Sequence, residues 1–331
     1  MVTLRSIADR CGVDVSTVSK VIHGKEIRVA EDTRNKILAA AKELKYRPNA
    51  LARSLRLRRS GAIVMAMRDT NGFVYPEIID GAQTAAERHG TCLFLLKYSS
   101  GETAGPSLIS MVQEGRVDGI LWDDLPYKGF SQELIDAQVP FVCLNGYSDV
   151  KGQCVTLDDR DGFLRQANYL ADLGHTQIGF IGVEPQSDVS ILCRETFLKA
   201  LKARGISVPK KHIWHCHFEG DDVATIVDQL TGPDRPTAIA TASLLTAKRL
   251  SDSLNRRGIR IPEDISLIGY HDGPDAQWNC PPLTTVRMPS RAQGALAVEC
   301  LLELVAGGTF HRREVEGAPE IVERESCRPF R

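Results

Sequence analysis

The chain has 331 residues, 43% of them hydrophobic and 25% charged, with nine cysteines and a formal net charge of −1. That length holds two or three domains and a sizeable core, and the composition excludes a disordered, collagenous or disulfide-stapled chain. The start MVTLRSIADR is too charged for a secretion signal and no apolar run approaches a membrane span of roughly 18 residues, so a cytoplasmic protein with no membrane partner is expected.

The near-neutral total conceals an asymmetry. Residues 1–60 hold fourteen Lys and Arg against six Asp and Glu, a net +8, while the remainder carries −9. A basic end of this size suits a polyanion, although charge alone equally suits a solvated face. The cysteines run singly from Cys11 to Cys327 with no CxxC pair, as reduced thiols in a cytosolic protein do.

In chain order, Thr3 is placed to cap a first helix with Leu4, Ile7 and Ala8 on one face. Gly12 offers the backbone freedom for a tight turn, and Asp14 caps a second helix from Val15 to about His23. Its inner face is Val18, Val21 and Ile22; its outer face is Val15, Ser16, Thr17, Ser19 and Lys20. Short side chains let a helix sit deep in a major groove, and one long donor reaches a base edge or phosphate. A third helix is predicted from about Glu31 to Lys45, with Ile37, Leu38, Ala41 and Leu44 facing inward and Glu31 and Asp32 at its positive end. After Tyr46-Arg47-Pro48 comes NALARSLR, basic on one side and apolar at Leu51 and Leu55. It is too short for a stable isolated helix, so ordering against DNA and a partner copy is expected.

TLRSIADRCGVDVSTVSKVIHG followed by VAEDTRNKILAAAKELKYRPNALARSLR resembles the lac-repressor (LacI/GalR) family of bacterial regulators. The resemblance implies that the second helix reads a pseudopalindromic operator, with Val15, Ser16 and Lys20 on bases and Thr17 and Ser19 on phosphates, and with Thr3 beside them. It implies hinge helices over about 49–57 paired in the minor groove, Leu55 wedged between central base pairs, and Asn49, Ala52 and Arg56 alongside. Ala30 departs from the family's usual capping serine, at a small cost in helix stability.

From Gly61 the texture changes. AIVMAM, TCLFLL, DGILW, FVCLN, IGFIG, TAIATA and SLIGY alternate with helical stretches such as 76–89, 161–173, 191–204 and 244–257. Such alternation implies parallel βαβ units in two doubly wound lobes, with a ligand at the strand ends. LGHTQIGFIG, DISLIGY and PPLTTVRMP resemble the family's periplasmic-binding-protein-like core. The expected fold is thus α/β: an all-α helix-turn-helix headpiece over 1–60, then a two-lobed core over 61–331. The resemblance places crossovers near 157–160, 286–290 and 315. The N-lobe is then about 61–157 and 288–315, and the C-lobe 158–287 and 316–331.

By the same resemblance, Arg194 is the arginine that grips effector hydroxyls or a carboxylate. Asp69, Phe73 and Tyr75 line the N-lobe side, and Asn145 stands at an often acidic position. Ser243-Leu244 replaces Asn-Asp, and His271, followed by Asp272, replaces a carboxylate. These changes make the expected pocket less acidic, with Asp272 or Asp222 available to restore a carboxylate. The expected effector is a sugar or sugar derivative.

Competing functions find less support. The run His212-Ile-Trp-His215-Cys216-His217 suggests a metal site, yet on a strand His215 and His217 face opposite to Cys216, so no metal and no cofactor is expected. IGFIG is not GxGxxG, and neither GxxxxGK[ST] nor GxSxG occurs, so no enzyme is expected. A free-standing solute-binding protein would carry a secretion signal and no +8 headpiece. The expectation is a homodimeric, non-enzymatic repressor that binds double-stranded DNA, and with no leucine-zipper extension after Arg331 a tetramer through that device is not expected.

Overall fold

A computed structural model describes residues 2–22, 26–46, 59–67, 75–98, 101–123, 130–144, 153–183, 188–217, 222–309 and 311–330. Residues Met1–Ser60 and Gly61–Arg331 form two compact units.

The first unit contains α1 (Leu4–Cys11), α2 (Val15–Ile22) and α3 (Glu31–Glu43). Thr3 opens α1 with a reciprocal box: its hydroxyl accepts the Ser6 N–H at 3.3 Å, and Ser6 accepts the Thr3 N–H. Gly12 closes α1 in the left-handed region, φ 71°, and donates to the Ala8 carbonyl, a conformation that any side chain would make costly. Ile7, Ala8, Cys11, Val18, Val21, Ile37 and Ala40 form the unit's core. One expectation is corrected in α3. Leu38 lies 47% exposed, and the inward stripe is Ile37, Ala40, Ala41 and Leu44. Those four follow helical i, i+3, i+4, i+7 spacing, which leaves Leu38 about 100° off the stripe.

The second unit alternates strands and helices. In order these are β1 (Ala62–Met67), α4 (Tyr75–Arg88), β2 (Cys92–Lys97), α5 (Gly101–Gln113), β3 (Ile120–Asp123), α6 (Phe130–Asp136), β4 (Phe141–Leu144) and β5 (Cys154–Thr156). Then follow α7 (Asp159–Asp172), β6 (Ile178–Val183), α8 (Asp188–Ala203), β7 (Ile213–Cys216), α9 (Asp222–Gln229), β8 (Ala238–Thr241) and α10 (Leu244–Arg256). The chain ends with β9 (Ser266–Tyr270), β10 (Thr284–Arg287), α11 (Ser290–Val305), β11 (Arg313–Glu314) and β12 (Glu320–Val322).

The strands make two six-stranded sheets, ordered β11-β5-β4-β3-β1-β2 and β12-β10-β9-β8-β6-β7. All pairings are parallel except that of β12 with β10. Each apolar run singled out in the sequence falls on one of these strands. Every residue of β1, β4, β8 and β9 is buried, as parallel strands covered by helices on both faces require. An apolar cluster runs from Met65 and Ile78 by the first sheet through Met288 and Phe163 to Phe180 and Ile268 by the second. The chain crosses between sheets after β5, after β10, and between β11 and β12.

Candidate functional site

In the first unit the outer face of α2 presents Val15, Ser16 and Lys20 to solvent, with Thr17 and Ser19 half-buried. Val18 and Val21 on the opposite face anchor the helix in the core. Asp14 starts α2 by accepting the Ser16 N–H at 2.7 Å. Hydrogen bonds from the Ser16 side chain and backbone hold the Asp14 carboxyl below its usual range. Thr3 is exposed, but its hydroxyl is engaged with Ser6. An exposed Arg10–Glu43 pair at 2.6 Å joins α1 to α3. Asn49, Ala52, Leu55 and Arg56 lie outside the described residues.

In the second unit, Arg194 on α8 and His215 at the end of β7 come together. Nη1 of the guanidinium lies 3.4 Å from Nε2 of the imidazole. Gly182, the β6 partner of His215, makes room for the ring: a Cβ there would stand 2.9 Å from its Nδ1. Burial first, then Arg194 and His217, push the His215 pKa below its usual value. Nδ1 of His215 is buried without a hydrogen-bond partner among the described residues. The partnership with Arg194 spans two elements and has no sequence signature; strand alternation gave only the facing of His215.

His271 follows β9 in a left-handed conformation, φ 63°, its ring edge-on to Tyr270. Burial lowers its pKa, with Asp159 opposing, and its Nδ1 also lacks a hydrogen-bond partner among the described residues. Asp159, at the start of α7, accepts the Tyr270 hydroxyl at 2.9 Å. Ser243 is the N-cap of α10: its buried hydroxyl accepts the Thr246 N–H at 3.1 Å and meets the Thr246 hydroxyl at 2.8 Å. Asp222 heads α9 and accepts the His217 N–H at 2.9 Å. Tyr75 is partly buried at the start of α4, while Asp69, Phe73 and Asn145 lie outside the described residues.

Asp272 is engaged elsewhere. Its buried carboxylate accepts from the Thr285 hydroxyl at 2.7 Å, Arg287 at 2.6 Å and Arg324 at 2.9 Å. Burial opposes its ionisation, but these bonds outweigh it and hold the carboxyl below the usual range. Among the described residues no group of three or more His, Cys, Asp or Glu is placed to hold a metal ion, and no helix is long and apolar enough to cross a membrane.

A groove of about 870 Å³ lies instead at the crossovers, lined by Asp158, Arg160, Met288, Glu314, Thr196 and Lys199 among others. Thr196 is some 200° round α8 from Arg194, so this groove and the Arg194–His215 pair occupy different sides of the helix.

Residues 3–49 match the model of bacterial regulatory proteins of the lacI family, and residues 167–327 that of a periplasmic binding protein-like domain. The chain is 34% identical over 337 residues to the HTH-type transcriptional repressor PurR of Vibrio cholerae serotype O1, covering 99% of this chain and 98% of the relative. Among solved structures, the transcriptional regulator CelR–cellobiose complex is 26% identical with a TM-score of 0.72, over 98% of this chain and 100% of that one. The lac repressor dimer bound to operator and the anti-inducer ONPF shares the fold at 24% identity, TM-score 0.81, over 99% of each chain. With its helix-turn-helix DNA-binding unit ahead of a periplasmic-binding-protein-like α/β core, the chain belongs to the lacI family of bacterial regulatory proteins.

Proposed function

We propose that the chain is a cytoplasmic, non-enzymatic homodimeric repressor whose residues 1–60 bind a pseudopalindromic operator. A small-molecule effector, a sugar or sugar derivative, binds between an N-lobe (61–157 and 288–315) and a C-lobe (158–287 and 316–331) and controls that affinity. The observation that carries the DNA reading is the outer face of α2, where short side chains flank Lys20 on a helix anchored by Val18 and Val21. Such a helix enters a major groove, with base contacts specifying and phosphate contacts positioning. Leu55 of the hinge segment is the residue proposed to wedge the operator centre open.

The dimer reading rests on β2, an edge strand that exposes Phe94 and Leu95. An exposed apolar edge of this kind invites pairing, and the related lac repressor is a dimer on its operator. The effector reading rests on Arg194 and His271, and on the cellobiose complex of the relative CelR.

The test is selection of binding duplexes from a random DNA pool, followed by Lys20→Ala. The recovered sites are expected to be pseudopalindromic, and the substitution to cost about 1–3 kcal/mol on them and far less on random DNA. Equal losses on both DNAs reduce Lys20 to a phosphate contact; recovery of no preferred sequence rejects the operator reading.

A further inference from the structure

The groove of about 870 Å³ is walled by each of the three crossovers between the sheets. Asp158 and the start of α7 come from the first, Met288 and Pro289 from the second, and residues 314–319 from the third. The remaining wall is α8, which presents Thr196, Lys199, Ala200 and Ala203, the i, i+3, i+4, i+7 spacing of one helical face. That face is about 10 Å long.

The floor is apolar. Ala200, Met288 and Val315 are buried there, and Leu164 beside them is left 42% exposed, surface for an apolar part of a ligand to cover. Charges of both signs surround this floor, and they are sorted by origin. The cations Arg160 and Lys199 stand on α7 and α8. Of the acids, Asp158 and Asp161 are engaged within α7, Asp158 with the Arg160 N–H at 3.1 Å and Asp161 with Arg165 at 2.9 Å. Glu314 and Glu316 belong to the third crossover, and both are exposed. Among the described residues β11 is the outer strand of its sheet, and an extended peptide main chain can bond to such an edge.

We propose that this groove is a second ligand site, which takes a short zwitterionic peptide. An extended tripeptide is about 10 Å long, the length of the α8 face. Its carboxylate lies against Arg160 and Lys199, its ammonium against Glu314 and Glu316, and its side chains on Leu164 and the apolar floor. A diamine instead sets an ammonium beside the two cations, and a dicarboxylate sets an anion beside the two glutamates, so each meets like charge. Because all three crossovers touch it, the bound peptide ties them together and fixes the angle between the sheets. The site stands apart from the effector reading, since Thr196 and Arg194 face different sides of α8.

The test is calorimetry on the full-length protein with the tripeptides Ala-X-Ala, X running over the twenty side chains, each free, N-acetylated and C-amidated. At least one free tripeptide is expected to bind, and each of its capped forms at least ten-fold more weakly. Lys199→Glu and Glu316→Lys are each expected to weaken it at least ten-fold. Ala203→Trp, which fills the groove from an exposed position, is expected to abolish binding. Lys210→Glu, outside the groove, is expected to leave it unchanged, and all four variants to keep the native circular dichroism spectrum. With the peptide bound, amide hydrogen exchange is expected to slow in residues 157–161, 288–290 and 314–318 together. Binding that ignores both caps overturns the zwitterion. Binding that ignores the three groove variants, or protection confined to other segments, overturns the site, and failure of all twenty free tripeptides to bind overturns the proposal as a whole.

Discussion

Gly81 on α4 and Gly294 on α11 bring two helix backbones into direct contact. A Cβ on Gly81 would overlap the Arg291 carbonyl, and one on Gly294 would overlap the carbonyl of Ile78. Arg291 also pairs with Asp80 across the same crossing. Because α11 follows β10 of the second sheet and packs beside α4, which follows β1 of the first sheet, this crossing secures the return of the chain between sheets.

Gly294→Ala is therefore expected to destabilise the protein by roughly 1–3 kcal/mol, since the obstructing atoms are backbone and cannot rotate aside. Gly232→Ala is the control, because nothing lies within 4 Å of a Cβ there. Urea unfolding of the two variants measures the difference. Equal midpoints would mean that the helices separate freely at this point.

Much of this arrangement is legible in the sequence because its signals are local. Seven apolar runs became strands because βαβ units bury both sheet faces, and the Thr3, Gly12 and Asp14 signals mark helix ends through bonds to nearby backbone. Leu38 misled because an apolar residue one position off a helical stripe looks like part of it. The candidate pocket was less legible. Asp272 looked available as a replacement carboxylate, but Arg287 and Arg324 reach it from strand β10 and the segment after β12. The Arg194–His215 pair likewise joins a helix to a strand, and only the folded chain brings such groups together.

The start of α3 offers a gain in stability. Ala30 is its N-cap, with no side-chain bond to the first turn, although its φ of −58° and ψ of 144° suit a capping residue. Ala30→Ser supplies an acceptor for the N–H groups of Asp32 or Thr33, an effect of about 1 kcal/mol. Amide hydrogen exchange on the full-length protein is expected to slow by roughly five-fold at those positions. Unchanged exchange there would show that water already satisfies these donors at no cost.

Acid sensitivity follows from four imidazoles. His175, His212, His215 and His271 all have pKa values pushed below 6.5, in each case chiefly by burial. His175 lies between Thr237, at 2.9 Å, and the Arg328 carbonyl, at 3.1 Å; the carbonyl contact raises its pKa, but burial outweighs it. Below 6.5 the unfolded chain binds protons that the folded chain resists, so stability is complete above that pH and declines as the pH falls toward the lowered folded values. The carboxyls of Asp264 and Asp272 are also depressed, but their contribution persists until the pH drops below about 4. The ligand-free protein is thus expected to show a flat melting temperature from pH 8 to 7 and a fall of a few degrees by pH 5. His175→Gln, which cannot protonate, is expected to shallow that fall while lowering the plateau. A melting temperature constant from pH 7 to 5 would mean that these rings protonate within the fold as readily as outside it.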